Sequence, residues 1–456
     1  MNLEIFKKYN KPGPRYTSYP PATFFKGGFT TEQYIEQIIR SNDDKPQNMS
    51  FYVHIPFCPR LCHFCGCNTG ISQKEEVIRR YVNAIITEIN NIAKYLNKDR
   101  KVSQIHWGGG TPNSIKLNYV EEIMATFREH FQFIEKPEIA IECHPAYLEY
   151  EDIDRLTAAG FNRLSLGVQD FDEEVLKLVN RAPSKYPVKD LVRYLKEKGF
   201  RGVNLDLIYG LPGQNRENFA RNIRKTIEVS PDRLATFSYA HVPWVKAAQK
   251  ILEKRGLPTP DEKLQMFEVG HNLLTEAGYV AIGMDHYAKA DDDLTIALKN
   301  KTLQRNFQGY VTRETTGQVY GFGSSSITQM WGGYVQNVKT AQQYIQKIES
   351  HGLAPDKAYL MTDDDLVIRE VIAEIMCNGR MDFHEIGQQF GKTAAEVKEI
   401  VAFKPEKLNE FLQDDLVSIN GNEVNVHKEG FFIVRNIAMA FDPLLEISDA
   451  MYSKTI

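Results

Sequence analysis

No uninterrupted apolar stretch in this chain approaches the roughly 18 residues that a membrane-spanning helix needs, so no transmembrane segment is expected. Neither sign of charge dominates: 55 Lys and Arg stand against 59 Asp and Glu, for a net charge of −4. That balance provides no global basic field to hold nucleic acid or an anionic membrane. The N-terminus, MNLEIFKKYNKPGPRYTSYP, lacks an apolar core followed by a small-residue cleavage site, so it does not read as a signal peptide. Repeats and low-complexity segments are missing, which excludes solenoids and disordered tails. Cysteine is scarce, six in 456 residues, which excludes a disulfide-stapled secreted scaffold. These absences lead us to expect a cytoplasmic, soluble, monomeric protein.

The scarce cysteines are not spread out. Four of the six fall within HIPFCPRLCHFCGCN, residues 54–68, directly after the apolar run FYVHIPF (51–57). That run is the first of six strand candidates, followed by 103–108, 139–143, 163–168, 203–209 and 234–242. They are short, nearly all apolar and end at turn residues, as strands covered on both faces should. Helical patterns lie between them. In 75–97 the residues Val77, Ile78, Tyr81, Val82, Ile85, Ile89, Ile92 and Leu96 form one stripe. In 188–198 Val188, Leu191, Val192 and Leu195 do the same before Gly199. Such alternation predicts an α/β fold with a parallel sheet. The chemically distinctive residues sit at or beyond the C-terminal ends of the strands, which favours a partial (β/α)6 TIM-like barrel over a doubly wound sheet.

The other parts of the chain differ in character. Residues 1–50, rich in Pro, Gly and Tyr, read as an irregular N-terminal arm. The barrel and its extension are expected over 51–360, with small and polar residues in RNFQGYVT (305–312) and GFGSSSI (321–327). From 361 the composition shifts to a small, mostly helical, winged-helix-like domain ending at 456. It includes a helix at TDDDLVIREVIAEIMCNG, a hairpin around Asn420-Gly421 and a helix over 430–441.

The cysteines are spaced Cys58-x3-Cys62-x2-Cys65-x-Cys67. Disulfides do not suit a reducing compartment, and partners this close in sequence would be strained. Zinc usually takes two separated ligand pairs; here only His54 and His63 could complete a set, which keeps a zinc-stabilised interaction protein as a rival. Iron–sulfur clusters accept thiolates two or three residues apart along a loop. HWGGGTP (106–112) lacks the Gly-Lys-Ser/Thr ending of a nucleotide P-loop, but its glycines allow close backbone approach to a ligand. Glu142 ends a strand. Asp206 is an acid inside an apolar strand, a costly placement unless it serves a ligand. Arg181 ends an amphipathic helix, where it fits either the helix dipole or a ligand carboxylate. Cys143 and Cys377 sit alone in apolar contexts and read as core.

CxxxCxxC after the first strand of a (β/α) barrel, with Phe64 before the third cysteine, resembles the radical S-adenosylmethionine enzymes. Over nearly the whole length the chain resembles one family within them, the oxygen-independent coproporphyrinogen III oxidases. The likeness runs through KYNKPGPRYTSYP, YVHIPFCxxLCxFCGCN, HWGGGTP, FNRLSLGVQDF, VNLDLIYGLP, IGMDHYA, RNFQGY and NGRMDF. The resemblance implies one [4Fe–4S] cluster on Cys58, Cys62 and Cys65, with Cys67 a nearby catalytic residue that is not a ligand. It implies two molecules of S-adenosylmethionine, one bound to the cluster by Tyr52, Gly109, Glu142 and Ile327. The other would be held by Phe64, Gly110, Thr111, Gln169, Arg181, Asp206 and Ala240. Coproporphyrinogen III would be the substrate, with Arg15, Tyr16 and Tyr19 as candidate contacts and a flavodoxin or ferredoxin as reductant. Two propionates, on rings A and B, would be oxidatively decarboxylated to vinyl groups, giving protoporphyrinogen IX. A haem carrier or insertase of the same superfamily and an anaerobic haem-degrading radical methyltransferase are the alternatives within this likeness.

Overall fold

The computed structural model describes residues 3–71, 74–312 and 317–447. Six strands form its parallel centre: β1 (Met49–Ile55), β2 (Lys101–Gly109), β3 (Gln132–Cys143), β4 (Arg163–Gln169), β5 (Gly202–Tyr209) and β6 (Arg233–Ser238). They pair in that order, each parallel to the next. Helices return the chain between them: α1 (Glu75–Ile92), α2 (Leu117–His130), α3 (Tyr150–Ala158), α4 (Glu173–Leu178), α5 (Val188–Glu197) and α6 (Arg216–Val229). The chain is an α/β protein built on a partial barrel, as the strand–helix alternation predicts.

The strands differ in how they are buried, and the difference positions the site. β1 is covered on both faces, with Tyr52 its one half-buried residue. β4 instead alternates strictly, as does β5 from Val203 onward. Leu164, Leu166 and Val168 of β4, and Val203, Leu205 and Leu207 of β5, are buried. The intervening Ser165, Gly167, Gln169, Asn204 and Asp206 line a cavity. The expectation of strands apolar on both faces therefore fails for these two. Their second face borders a ligand-sized space, so it carries polar side chains.

The sheet continues past both ends of this centre. β7 (Gln318–Phe322) pairs in parallel with β1, and Ile327–Met330, Gly333–Asn337 and Pro355–Leu360 follow it antiparallel. At the far end His286–Ala288 and Val280–Gly283 add to β6. With the edge pair Lys26–Gly27 this makes 13 strands among the described residues, in an open order.

The arm is less irregular than its composition suggests. It contains helices Leu3–Tyr9 and Thr31–Arg40, the second opened by a capping box between Thr30 and Gln33. Phe6 packs on Phe267 and Phe432, and Tyr9 stacks on Phe411, so the two ends of the chain lie together. In the C-terminal part, helix Asp363–Asn378 and the hairpin Val417–Asn420/Glu423–Val426 form as expected, with Gly421 at φ +66°. The helix expected over 430–441 is instead three pieces: a 3-10 turn at Gly430–Ile433, an α-turn at Val434–Ala438 and a 3-10 turn at Met439–Phe441. Gly430 is pressed against the hairpin, where an added Cβ would lie 2.4 Å from the Leu416 carbonyl, and the chain enters the segment as a tight turn. No helix among the described residues is long and apolar enough to cross a membrane.

Candidate active site

The four clustered cysteines lie on a loop closed at its base. Phe57–Cys58 pairs in parallel with Gly70–Ile71, and the loop is held from several other parts of the chain, among them the Lys339 carbonyl, which accepts from Asn68 Nδ2 at 2.6 Å. Past α4, the Val179 carbonyl accepts from the His63 N–H at 3.0 Å, and Asn180 Nδ2 donates to the Leu61 carbonyl at 2.8 Å. From beyond β6, Gln249 Nε2 donates to the Phe64 carbonyl and Lys246 Nζ to the Cys67 carbonyl. Cys58 is buried, Cys62 and Cys65 are half-buried, and Cys67 is exposed.

The thiols differ electrostatically. Burial pushes Cys58 and Cys62 up, against Thr111 Oγ1 at 3.4 Å from the first sulfur and Arg181 Nη1 at 3.4 Å from the second. A hydrogen bond between Cys65 and Cys67 lowers the former and raises the latter, with Lys246 and Arg181 further favouring the Cys65 thiolate.

Around this loop the ends of β2 to β5 converge. Gly110 N–H donates to the Ile55 carbonyl at 2.7 Å and Thr111 N–H to the Phe57 carbonyl at 2.9 Å, which fastens HWGGGTP to the cysteine loop. Glycine is required there. A Cβ on Gly110 would lie 2.7 Å from the Phe57 carbonyl oxygen, and one on Gly109, at φ +114°, would lie 2.7 Å from the His54 ring. Glu142 accepts from His106 Nε2 at 2.9 Å. Asp206 accepts from Ser165 Oγ at 2.8 Å and Asn204 Nδ2 at 2.7 Å, yet burial, with the Glu142 charge adding to it, pushes its carboxyl up to about 6. Gln169 occupies the left-handed region at φ +68°, at a register break between β4 and β5, and its Oε1 is buried without a partner among the described residues. Arg181 donates to the Gly167 carbonyl and lies over the Phe64 ring, and its Nε is likewise buried and has no partner among the described residues. Strained backbone and orphaned polar atoms gathered at one mouth mark a site that waits for a ligand.

Two adjoining cavities open at this mouth. The first, of about 540 Å³, is lined by all four loop cysteines together with Phe64, Gly110, Thr111, Gln169, Arg181, Asp206, Ala240 and Arg15. The second, of about 680 Å³, is lined by Tyr52 and Ile327. Cys67, Gly109 and Glu142 border both. Tyr16 and Tyr19 lie elsewhere: both border a small separate cavity, and the Tyr16 hydroxyl donates to Asp442 at 2.8 Å. Several supporting residues carry a signal in the sequence. Ser165 and Asn204 are polar residues in the alternation of β4 and β5, as Asp206 is. His54, inside the cysteine motif, bonds Tyr52 Oη at 3.1 Å and the Asn68 carbonyl at 3.0 Å. Lys246 and Gln249 lie in a stretch with no motif, and only the fold brings them to the loop.

The donor set fits an iron–sulfur cluster. Four soft thiols line one chamber, with a cation at Cys62 and, among the described residues, unpartnered polar atoms in the wall. Among the described residues no three His, Cys, Asp or Glu side chains converge at single-ion distance.

Residues 52–225 match the model of the radical SAM superfamily, the class that this barrel and its thiol-lined mouth define. The oxygen-independent coproporphyrinogen III oxidase of Salmonella typhimurium is 41% identical over 444 residues, covering 97% of this chain and 95% of that one. Its counterpart in Synechocystis is 38% identical, covering 100% of this chain and 98% of that one. The solved structure of coproporphyrinogen III oxidase from Escherichia coli, titled a radical SAM enzyme, superposes with a TM-score of 0.90. It is 38% identical, with 97% and 99% of the two chains covered. The chain belongs to the oxygen-independent coproporphyrinogen III oxidase family.

Proposed function

We propose that this protein oxidatively decarboxylates the ring A and ring B propionates of coproporphyrinogen III to vinyl groups, yielding protoporphyrinogen IX. The observation that carries the reading is the thiol-lined chamber at the barrel mouth, with Arg181, Gln169 and Asp206 in its wall, in a chain of this family. Cys58, Cys62 and Cys65 would hold a [4Fe–4S] cluster and leave one iron open. With S-adenosylmethionine bound, the cluster supplies one-electron cleavage of the sulfonium and hence hydrogen abstraction from an unactivated carbon.

The chain's own residues bind, orient and shield. Arg181 is placed to pair a carboxylate, Asp206 to accept from hydroxyls, and the Gly109–Gly110 backbone to approach an ammonium. We assign the cluster-bound S-adenosylmethionine to the first cavity, with Phe64, Gly110, Thr111, Gln169, Arg181, Asp206 and Ala240. The second molecule goes to the neighbouring cavity, with Tyr52, Gly109, Glu142 and Ile327. This exchanges the two sets that the family resemblance implies. The support is that Cys58, Cys62 and Cys65 line only the first cavity, and a molecule bound to the cluster must share their chamber. Cys67, which borders both, is positioned to act between them.

We take a monomer as the working unit. An oxidation-sensitive cluster and six free cysteines favour the reducing cytoplasm and a flavodoxin- or ferredoxin-like electron donor, without nucleic-acid or membrane partners. The test is an anaerobic assay of cluster-reconstituted protein with coproporphyrinogen III, S-adenosylmethionine and reductant. Vinyl product and 5′-deoxyadenosine should appear together. Cosubstrate cleavage with an unchanged porphyrinogen, or haem binding without turnover, would overturn the assignment.

A further inference from the structure

The two ends of the chain each bring an arginine to a small cavity beside the thiol-lined chamber. Arg435, in the C-terminal segment, is 3% exposed, and neither its Nε nor its Nη2 has a hydrogen-bond partner among the described residues. Arg15, an exposed residue of the arm, lines the same cavity, whose volume is about 40 Å³. That is more than the ~10–15 Å³ that a single water requires. Arg15 and Ser238 also line the thiol chamber, so the two spaces adjoin. Phe267 and Phe432 supply an apolar wall.

A buried guanidinium with two idle N–H groups is expensive to maintain, and the charge of Asp285 relieves it only in part. Burial, together with repulsion from Arg15 and Arg305, depresses Arg435 to about 9. Asp285, the one carboxylate lining the cavity, is engaged by His286 Nδ1 at 3.0 Å. Two guanidiniums, Arg15 and Arg435, line the cavity with the one carboxylate of Asp285, leaving an excess of positive charge beside the thiol-lined chamber.

We propose that this cavity is a carboxylate subsite in which Arg435 and Arg15 clamp a propionate of the substrate that does not react. The inference rests on the proposed function for the identity of the ligand. The clamped arm is a spectator for two reasons. No cysteine lines its cavity, and a carboxylate paired with guanidiniums is stabilised as the anion rather than prepared to leave as carbon dioxide. The pocket would thus set the porphyrinogen's orientation and decide which arms reach the chamber.

The test uses reconstituted holoenzyme and equilibrium binding, by fluorescence quenching, of coproporphyrin III and of its tetramethyl ester. Arg435→Met should weaken binding of the tetra-acid by about 10- to 100-fold, as expected for a lost charge-assisted pair, and leave the ester unchanged. Arg15→Gln, a change on the exposed arm, should weaken the tetra-acid by a smaller factor in the same sense. Iron content reports whether each variant is folded. The proposal is overturned if neither variant changes the ratio of tetra-acid to ester affinity. It is also overturned if S-adenosylmethionine affinity falls instead, since that would give the site to the cosubstrate's carboxylate. These outcomes are read from binding, so they stay separate from turnover: a wild type that binds the tetra-acid through Arg435 but forms no vinyl product would overturn only the proposed function.

Discussion

Replacing Asp206 by asparagine should make the ligand-free protein more stable and its S-adenosylmethionine binding weaker, opposite outcomes of one exchange of atoms. The carboxylate already accepts from Ser165 and Asn204, yet it is lifted to about 6 from an ordinary 3.8, chiefly by burial. A displacement of roughly two pH units corresponds to about 3 kcal/mol. The unfolded chain releases this proton near pH 3.8 and the folded chain only near 6, so stability falls as pH rises through that window and stays lower above it. Asparagine resembles the protonated acid and escapes this penalty. The gain at pH 7 is at most about 3 kcal/mol, a few degrees in melting temperature for a chain of this size. The loss appears on binding. Without a charged acceptor for a ligand hydroxyl, affinity should drop by about 10- to 100-fold, the equivalent of roughly 1.5–3 kcal/mol. Thermal melts of variant and wild type from about pH 5 to 8, with equilibrium dialysis of S-adenosylmethionine, measure both effects. A variant that melts lower and binds the cosubstrate as tightly as wild type would refute the reasoning, and would return Asp206 to a purely structural role.

Cys58→Ser, Cys62→Ser and Cys65→Ser should each abolish iron retention after anaerobic reconstitution, whereas Cys67→Ser should keep most of its iron and lose turnover; iron and sulfide analysis beside the vinyl assay separates the two classes. Gly110→Ala should cost about 1–3 kcal/mol through overpacking, because the new methyl meets the Phe57 carbonyl at 2.7 Å, and iron loading should fall with it; wild-type loading in this variant would show that the two loops are not fastened together. Glu88 is fully buried and raised by that burial to about 7, while accepting from Gly323 N–H, Asn337 and Tyr344. Wild-type stability should therefore decline as pH rises from about 4.5 to 7, and Glu88→Gln should flatten that decline in calorimetric melts.

Much of the architecture can be read from residue pattern. Apolar runs bounded by turn residues mark the six central strands to within a few positions, except that β3 begins at Gln132, seven residues before its apolar part. Those first residues are mostly exposed or half-buried, so hydrophobicity does not reveal them. β7 is hidden in the sequence because glycine and polar residues surround it, although all five of its residues are buried and it pairs directly with β1. The arm's second helix carries a legible start, Thr30 three residues before Gln33, that its surrounding Pro and Gly obscure. The thiol ligands are conspicuous because four cysteines cluster in a sequence otherwise poor in them. Lys246, Gln249 and Arg435 are not conspicuous. Each is an ordinary residue in an ordinary stretch, and what sets it apart is the long-range packing that buries it or aims it at the site.

The meeting of the two chain ends has a consequence for biogenesis. The residues that grip the cysteine loop run from Asn180 and Gln249 to Lys339, whose carbonyl accepts from Asn68 Nδ2 at 2.6 Å, so the full grip exists only once the chain has been made to that point. Arg435 emerges about a hundred residues later still, and only then can the pocket it shares with Arg15 exist. The order of synthesis therefore completes the hold on the cysteine loop before the arginine pocket beside it.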